Sequence, residues 1–192
     1  MEPACAARAT ITVCAEGMTG VSVADRDRGD TGDVAHSHFQ AACNAQEKGD
    51  TNAALSEIDI AISMEPSESV ASVYWAMKGY WLHELSRNEE AKHAGEVAVE
   101  LAPRVFLGWI VLGFANRYLG CDEEAAHAFR EAVIRRPDPS LYTLLAEAEL
   151  SFSPDAARDD AARALALDPS WDEARRIYDQ ATEQIRRLPG EP

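Results

Sequence analysis

Apolar and polar residues alternate along most of the chain with the period of an α-helix. The stretch EEAAHAFREAVIRRPDP, residues 123–139, shows the pattern most clearly. Its apolar residues recur at i, i+3, i+4, i+7 and i+8 while charged residues fill the remaining positions, which predicts a helix with one buried face. That face comprises Ala125, Ala128, Phe129, Ala132 and Val133. Pro137 ends the predicted helix, because proline lacks an amide donor and disfavours helical geometry in the residue before it.

A frame of small residues and proline recurs four times. In each copy an alanine is followed seven residues later by a second alanine and five residues after that by a proline. The copies are Ala54, Ala61 and Pro66; Ala91, Ala98 and Pro103; Ala125, Ala132 and Pro137; and Ala157, Ala164 and Pro169. The prolines lie 37, 34 and 32 residues apart. We interpret this recurrence as an internal repeat of helical hairpins.

The copies resemble tetratricopeptide repeats, pairs of antiparallel helices A and B that recur about every 34 residues. The third copy matches the family signature best, with Trp109, Leu112, Gly113, Gly120, Ala125, Phe129, Ala132 and Pro137, and with Asn116 in place of the usual Tyr. The second has Trp75, Gly79, Leu82, Ala91, Ala98 and Pro103, with Gly95 in place of the helix B aromatic residue. The first, which lacks the tryptophan, has Ala42, Gly49, Ala54, Ile58, Ala61 and Pro66. The fourth is the most degenerate, with Leu141, Leu144, Ala157, Ala161, Ala164, Leu167 and Pro169.

This resemblance implies an all-α fold, a right-handed superhelical solenoid of antiparallel helix pairs. Ala125 and Ala132 would be small because such helices cross closely, near the short end of the usual interaxial distance of about 8–10 Å. We expect a repeat domain over residues 34–169, a C-terminal capping helix over 170–188 and a tail over 189–192. Residues 1–33 have no sustained helical period and are predicted to be a disordered leader, with docking against the first repeat as the alternative.

In the family, the A helices line a concave groove that binds partners. By resemblance, the predicted partner-binding groove comprises Phe39, Cys43, Tyr80, His83, Ile110, Phe114, Arg117 and Tyr142. His83 and Arg117 would form a polar edge together with Gln46 and Glu149. The Lys and Asn residues with which co-chaperone repeats grip a C-terminal carboxylate are absent from the corresponding positions. The groove is therefore predicted to hold one face of an amphipathic helix or an extended segment through apolar anchors.

Charge and cysteine content narrow the classes of partner and location. The formal net charge of −15 argues against nucleic acid, whose binding needs clustered Lys and Arg, and favours apolar or basic protein partners. No apolar run approaches the 18 or so residues of a membrane span, so no membrane insertion is predicted. The four cysteines form no Cys-x-x-Cys pair, which predicts free thiols and a cytoplasmic location.

Few residues suggest catalysis or metal binding. His36, His38 and Cys43 are conceivable ligands by residue type, but histidines at i and i+2 point to different sides of a helix. No nucleophile elbow, P-loop or dinucleotide turn is present, so we expect no enzyme activity, cofactor or metal. The leading hypothesis is a non-catalytic protein–protein interaction module or scaffold subunit. The alternative is a regulatory or self-associating repeat protein whose groove is covered by its own leader or by a second chain.

Overall fold

The computed structural model describes residues 30–65 and 67–187 of the chain. Every regular element in these two ranges is an α-helix, which confirms the predicted fold class. The helices are α1 (Asp30–Glu47), α2 (Thr51–Met64), α3 (Glu68–Glu84), α4 (Asn88–Leu101), α5 (Phe106–Tyr118), α6 (Asp122–Arg135), α7 (Pro139–Glu149), α8 (Pro154–Leu167) and α9 (Asp172–Arg187). Pro66, most of the predicted leader and the predicted tail lie outside the described residues.

The chain divides into two compact units, Met1–Tyr74 and Trp75–Pro192, with the division inside α3. In the first unit, α1 packs against α2. In the second, each helix from α4 to α8 packs against the next one along the chain, and α9 also contacts α7. Helices α1, α3, α5 and α7 are therefore the A helices, and α2, α4, α6 and α8 are the B helices.

The A helices of the first three repeats end in the same tight turn. Gly49, Ser86 and Gly120 all have positive φ angles, of 79°, 60° and 78°. The amide of each donates a hydrogen bond to the carbonyl three residues earlier, at 2.9, 2.8 and 3.0 Å respectively. Glycine adopts this left-handed conformation without steric cost, whereas a serine loses about 1–2 kcal/mol there. The backbone of the turn thus explains two glycines of the repeat signature, Gly49 and Gly120.

Small residues allow the hairpins to pack closely, as the repeat frame predicts. Ala125 and Ala132 of α6 are fully buried. A Cβ atom added to Gly113 of α5 would lie 2.4 Å from the ring of Phe129 on α6. This is far inside van der Waals contact, so the signature glycine is required by the approach of α5 to α6.

Helices α1 and α9 lie at the two ends of the described residues. Helix α1 begins at Asp30, within the segment expected to be the leader. Helix α9 lies within the predicted cap and buries one face against its neighbours through Ala174, Ile177 and Ala181. Its other positions are mostly charged, so the rest of the α9 surface is polar.

Candidate functional site

Aromatic rings from consecutive A helices of the second unit meet on one face. The rings of His83 on α3 and Phe114 on α5 stack with their centroids 5.6 Å apart and an interplanar angle of 12°. Tyr118, at the end of α5, approaches the His83 ring edge-on at 4.4 Å. The Nδ1 atom of His83 lies 2.9 Å from Oδ1 of Asn88, which orients the imidazole. We call His83, Phe114 and Tyr118 the aromatic cluster.

The aromatic cluster is anchored in the core on one side and open on the other. Phe114 contacts the buried ring of Phe129 edge-on at 5.5 Å. His83 and Phe114 are half-buried, while Tyr118 is 66% exposed. The contact with Phe129 restrains Phe114, so the exposed part of the cluster is a preorganised aromatic surface.

A row of charges runs across α5, α7 and α9. Arg117 Nη1 donates to Glu147 Oε2 at 2.6 Å, and Arg176 Nη2 lies 3.9 Å from Glu147 Oε1. Burial alone would raise the pKa of Glu147, but the hydrogen bond from Arg117 and the two positive charges hold that pKa below its usual value. Glu147 is therefore ionised at neutral pH, and Arg117 already has a carboxylate partner. We call Arg117, Glu147 and Arg176 the ion-pair row.

The predicted groove residues of the first unit lie deeper than expected. Phe39 is buried and stacks on Tyr74, with centroids 4.7 Å apart. Cys43 is half-buried, and burial, with the negative charge of Glu47, raises the pKa of its thiol to about 11. Phe39 thus belongs to the core of its unit, and Cys43 remains a protonated thiol at neutral pH.

In the second unit the predicted residues separate into buried and accessible groups. Ile110 is buried in the cluster that α5, α6 and α7 form around Phe129. Tyr80, His83, Phe114 and Arg117 remain partly exposed. The accessible members of the predicted groove in this unit therefore come from α3 and α5.

The A helix of the fourth repeat is displaced by one residue from the predicted register. Cys121, just before α6, donates its amide to the Asn116 carbonyl five residues earlier, whereas Ser153, just before α8, donates to the Glu149 carbonyl only four residues earlier. The connection in the fourth repeat is therefore one residue shorter. The equivalent residues of the third and fourth repeats are consequently Trp109 and Tyr142, Gly113 and Ala146, and Asn116 and Glu149. Burial agrees with this alignment, since Ala146, Asn116 and Glu149 are all buried.

The displacement changes which residues of α7 face the other A helices. Tyr142 takes the place of Trp109, whose Nε1 donates to the Pro103 carbonyl between α4 and α5 at 2.9 Å, and Tyr142 packs against the core cluster. Glu149, expected at the polar edge, is buried instead. Glu147, which the sequence analysis missed, lies in the ion-pair row. The interval of 32 residues between Pro137 and Pro169, the shortest of the three, was the available signal.

Glu149 forms part of a buried polar group between α6, α7 and α8. Its side chain is 1% exposed, and its Oε1 atom accepts from Arg130 Nη2 at 2.5 Å. The neighbouring Asp160 on α8 is also buried and pairs with Arg163 at 2.5 Å. Burial, together with the negative charge of Asp160, raises the pKa of Glu149 to about 7. This carboxyl is therefore partly protonated at neutral pH.

The conceivable metal ligands of α1 are held by separate neighbours. His36 Nε2 lies 3.1 Å from the Gln40 amide nitrogen, while His38 Nδ1 lies 2.7 Å from a carboxylate oxygen of Glu57. Across residues 30–65 and 67–187, no three His, Cys, Asp or Glu side chains are grouped so that they could hold a metal ion. Within the same ranges, no helix has the length and apolar character needed to cross a membrane.

Comparison with solved structures identifies the fold. The chain is similar to residues 41 to the end of MamA from Desulfovibrio magneticus RS-1, with 17% identity and a TM-score of 0.66 over 82% of this chain and 93% of that one. It is similar to YrrB, a TPR protein with an unusual peptide-binding site, with 18% identity and a TM-score of 0.65 over 79% and 78% of the two chains.

A chain of the APC/C hetero-tetramer Cut9–Hcn1 matches with 17% identity and a TM-score of 0.65, over 75% of this chain but only 29% of that chain. No protein-family model matches the sequence, and no curated protein matches it. The structural likenesses show that adjacent helix pairs pack as in tetratricopeptide-repeat solenoids, which confirms the fold that the repeat frame predicts.

Proposed function

We propose that this chain is a non-catalytic protein–protein interaction module that binds a peptide or helix of a partner on the A-helix face of its second unit. The observation that carries the proposal is the aromatic cluster, whose rings are fixed by core contacts on one side and exposed on the other. Rigid aromatic surfaces give large contact area at low entropic cost, which makes them effective binding anchors.

The partner segment would be held chiefly by apolar contacts. Tyr80 and His83 on α3 and Phe114 on α5 supply partly exposed rings. Arg117 is engaged by Glu147, so its charge is already balanced inside the module. A partner carboxylate would have to compete with that ion pair, whereas an apolar side chain would not. The proposed ligand is therefore an amphipathic helix or an extended segment with apolar anchors.

The net charge of the chain affects the rate at which a partner associates with it. With a formal net charge of −15, the module attracts basic molecules and repels acidic ones at moderate salt. Such a field changes association rates more than final affinity. A partner segment with apolar anchors and flanking basic residues is the form of ligand that fits both features.

The cysteines support the non-catalytic part of the proposal, and we further propose a cytoplasmic location from them. Burial keeps Cys43 protonated at neutral pH, and only a thiolate is a competent nucleophile. Cys43 and Cys121 form no disulfide with any described residue. Free thiols of this kind are typical of reducing compartments, which supports a cytoplasmic location.

A site-specific photocrosslinker tests the proposed face. Benzoylphenylalanine placed at Tyr80 should crosslink a partner from a lysate of the source cells, whereas the same group placed at Ile134, an exposed residue of α6, should not. The identified partner, purified, should bind the wild-type chain and bind the Tyr80→Ala, Phe114→Ala variant at least about tenfold more weakly. Circular dichroism should show that the variant is folded. Equal crosslinking from both positions would refute the proposed face.

The same experiment distinguishes an open binding face from the alternative, a face covered by the leader or by a second chain. If the leader covers this face, the crosslinker at Tyr80 should join it to a peptide from residues 1–29 of the same chain. If a second chain covers it, a covalent dimer should form at a yield that rises with protein concentration. If either product forms and no partner is crosslinked, the hypothesis of a regulatory or self-associating protein replaces that of an open interaction module.

A further inference from the structure

Apolar side chains are exposed at the A–B turns of all three repeats in the second unit. Leu85, Tyr118 and Phe152 lie at the ends of α3, α5 and α7 and are 38%, 66% and 43% exposed. Turn residues are usually polar, because turns lie on the surface. An apolar residue repeated at successive turns therefore needs an explanation that single exposed residues do not.

Direct contacts place these turns side by side on one edge of the unit. The His83 ring, two residues before Leu85, contacts the Tyr118 ring at 4.4 Å. The hydroxyl of Ser151, next to Phe152, donates to Asp122 Oδ2 at the start of α6, at 2.7 Å. The three exposed apolar residues thus follow one another along a continuous edge, which we call the turn edge.

The turn edge is strongly acidic. Residues 85–90, 119–124 and 150–156, which comprise the turns and the starts of α4, α6 and α8, contain six acidic residues and one basic residue. The acidic residues are Glu89, Glu90, Asp122, Glu123, Glu124 and Asp155, and the basic one is Arg87. Arg87 pairs with Glu90, at 2.6 Å. Carboxylates stabilise helix N-termini, but the exposed apolar side chains between them have no such role.

We propose that the turn edge is a second docking surface, which meets the A-helix face at Tyr118 and runs along the A–B turns, and that it binds a basic amphipathic segment of another protein. Leu85, Tyr118 and Phe152 would contact the apolar residues of that segment, while Glu123, Glu124 and the other carboxylates would attract its Lys and Arg. Charge complementarity selects this occupant. A second copy of the chain also carries a net charge of −15 and would be repelled.

The test uses a short fluorescein-labelled synthetic peptide in which leucines recur at helical spacing among lysines, titrated by fluorescence anisotropy. Wild-type protein should bind it, and Tyr118→Ser with Phe152→Ser should weaken binding at least about tenfold. Ile134→Ser with Leu167→Ser is the matched control, since these residues are 67% and 53% exposed at the ends of B helices. This control should bind like wild type.

A second pair of variants tests the charge. Glu123→Gln with Glu124→Gln should weaken binding several-fold and reduce its salt dependence, whereas Glu96→Gln with Glu100→Gln, exposed on α4 away from its start, should have a smaller effect at the same net charge. If the Tyr80→Ala variant binds the peptide with wild-type affinity, the peptide occupies the turn edge and not the A-helix face.

Several results would overturn the proposal. The first is that the wild-type protein does not bind the peptide, and the second is that Tyr118→Ser with Phe152→Ser and Ile134→Ser with Leu167→Ser weaken binding equally. The third is that a peptide with serines in place of the leucines binds with equal affinity, because charge alone would then attract the peptide. Sedimentation that shows a dimer dependent on Tyr118 and Phe152 would assign the edge to self-association instead.

Discussion

The third and fourth repeats pack the same helical hairpin around two chemically different interiors. In the third, α5 meets α6 through Gly113 and the ring of Phe129, and the contact is steric and apolar. In the fourth, the position of Gly113 holds Ala146, and the carboxyl groups of Glu149 and Asp160 are buried nearby. The hairpin geometry therefore requires a close approach of helices but not one particular interior chemistry.

The third and fourth repeats should therefore differ in their sensitivity to larger side chains and to pH. The third repeat has no room for a single added carbon at Gly113, whereas the fourth already accommodates a Cβ atom at the equivalent position. The fourth instead depends on the ionisation of a buried carboxyl. Steric changes should thus be most damaging in the third repeat, and changes of pH should act mainly on the fourth.

The largest effect is expected for Gly113→Ala. The new Cβ atom would lie 2.4 Å from the Phe129 ring, which is itself fully buried and cannot move aside freely. Alanine favours a helix over glycine by about 1 kcal/mol, but we expect the clash to exceed this gain and to destabilise the protein by about 2–4 kcal/mol net. Chemical denaturation should measure the loss.

Ala146→Gly is the reciprocal control in the fourth repeat. It removes a methyl group and should cost about 1 kcal/mol, through helix propensity and a small cavity. If Gly113→Ala proved as stable as wild type, the close approach of α5 to α6 would be refuted, and with it the comparison of the two repeats.

A somewhat smaller loss is expected for Ala132→Leu. Ala132 is fully buried on α6 within the same core cluster, so the larger side chain would overpack the interface with α5 and α7. We expect a destabilisation of about 1–3 kcal/mol, measured by thermal unfolding. Ile134→Leu, an exposed change two residues away, should leave the melting temperature unchanged. A wild-type melting curve for Ala132→Leu would contradict the buried register of α6.

The helices and the close crossings could be predicted from the sequence, because both depend on local spacing. The period of apolar residues around Phe129 defines a helix face, and the recurrence of Ala125, Ala132 and Pro137 defines the hairpin. The register of α7 could not be predicted in this way, because no glycine in the turn before α8 marks the place where the connection is one residue shorter. One residue of displacement moves Glu149 from the expected polar edge into the interior.

The candidate site was less predictable than the fold for a related reason. The pairing of Arg117 with Glu147 joins residues on different repeats, and it depends on the register of both helices. Likewise, Phe39 and Ile110 were expected in the groove, but ring and core contacts from neighbouring helices bury them. Family positions define which side of a helix a residue occupies, whereas its exposure depends on the sizes of side chains on the adjacent helices.

The smallest expected effect is a pH dependence that arises in the fourth repeat. The folded-state pKa of Glu149 is raised to about 7 from an ordinary value of 4.5, so the folded state binds this proton more tightly than the unfolded state does. The stability that the protonated carboxyl contributes is complete below the unfolded pKa and is lost as pH rises through the folded one. We expect a decline of up to about 2 kcal/mol between about pH 5 and pH 7.

Glu149→Gln should flatten this decline, because an amide occupies the same volume without ionising, and Arg130 is exposed enough to remain solvated. Glu147→Gln is the matched control on the same helix. Its pKa is lowered by Arg117 and Arg176, so the stability it contributes is lost only as pH falls below its ordinary range, and the slope between pH 5 and pH 7 should stay as in wild type. Urea denaturation across this range separates the two carboxyls. An unchanged slope in Glu149→Gln would show that the buried acid of the fourth repeat does not titrate there, and that the two repeats differ in shape alone.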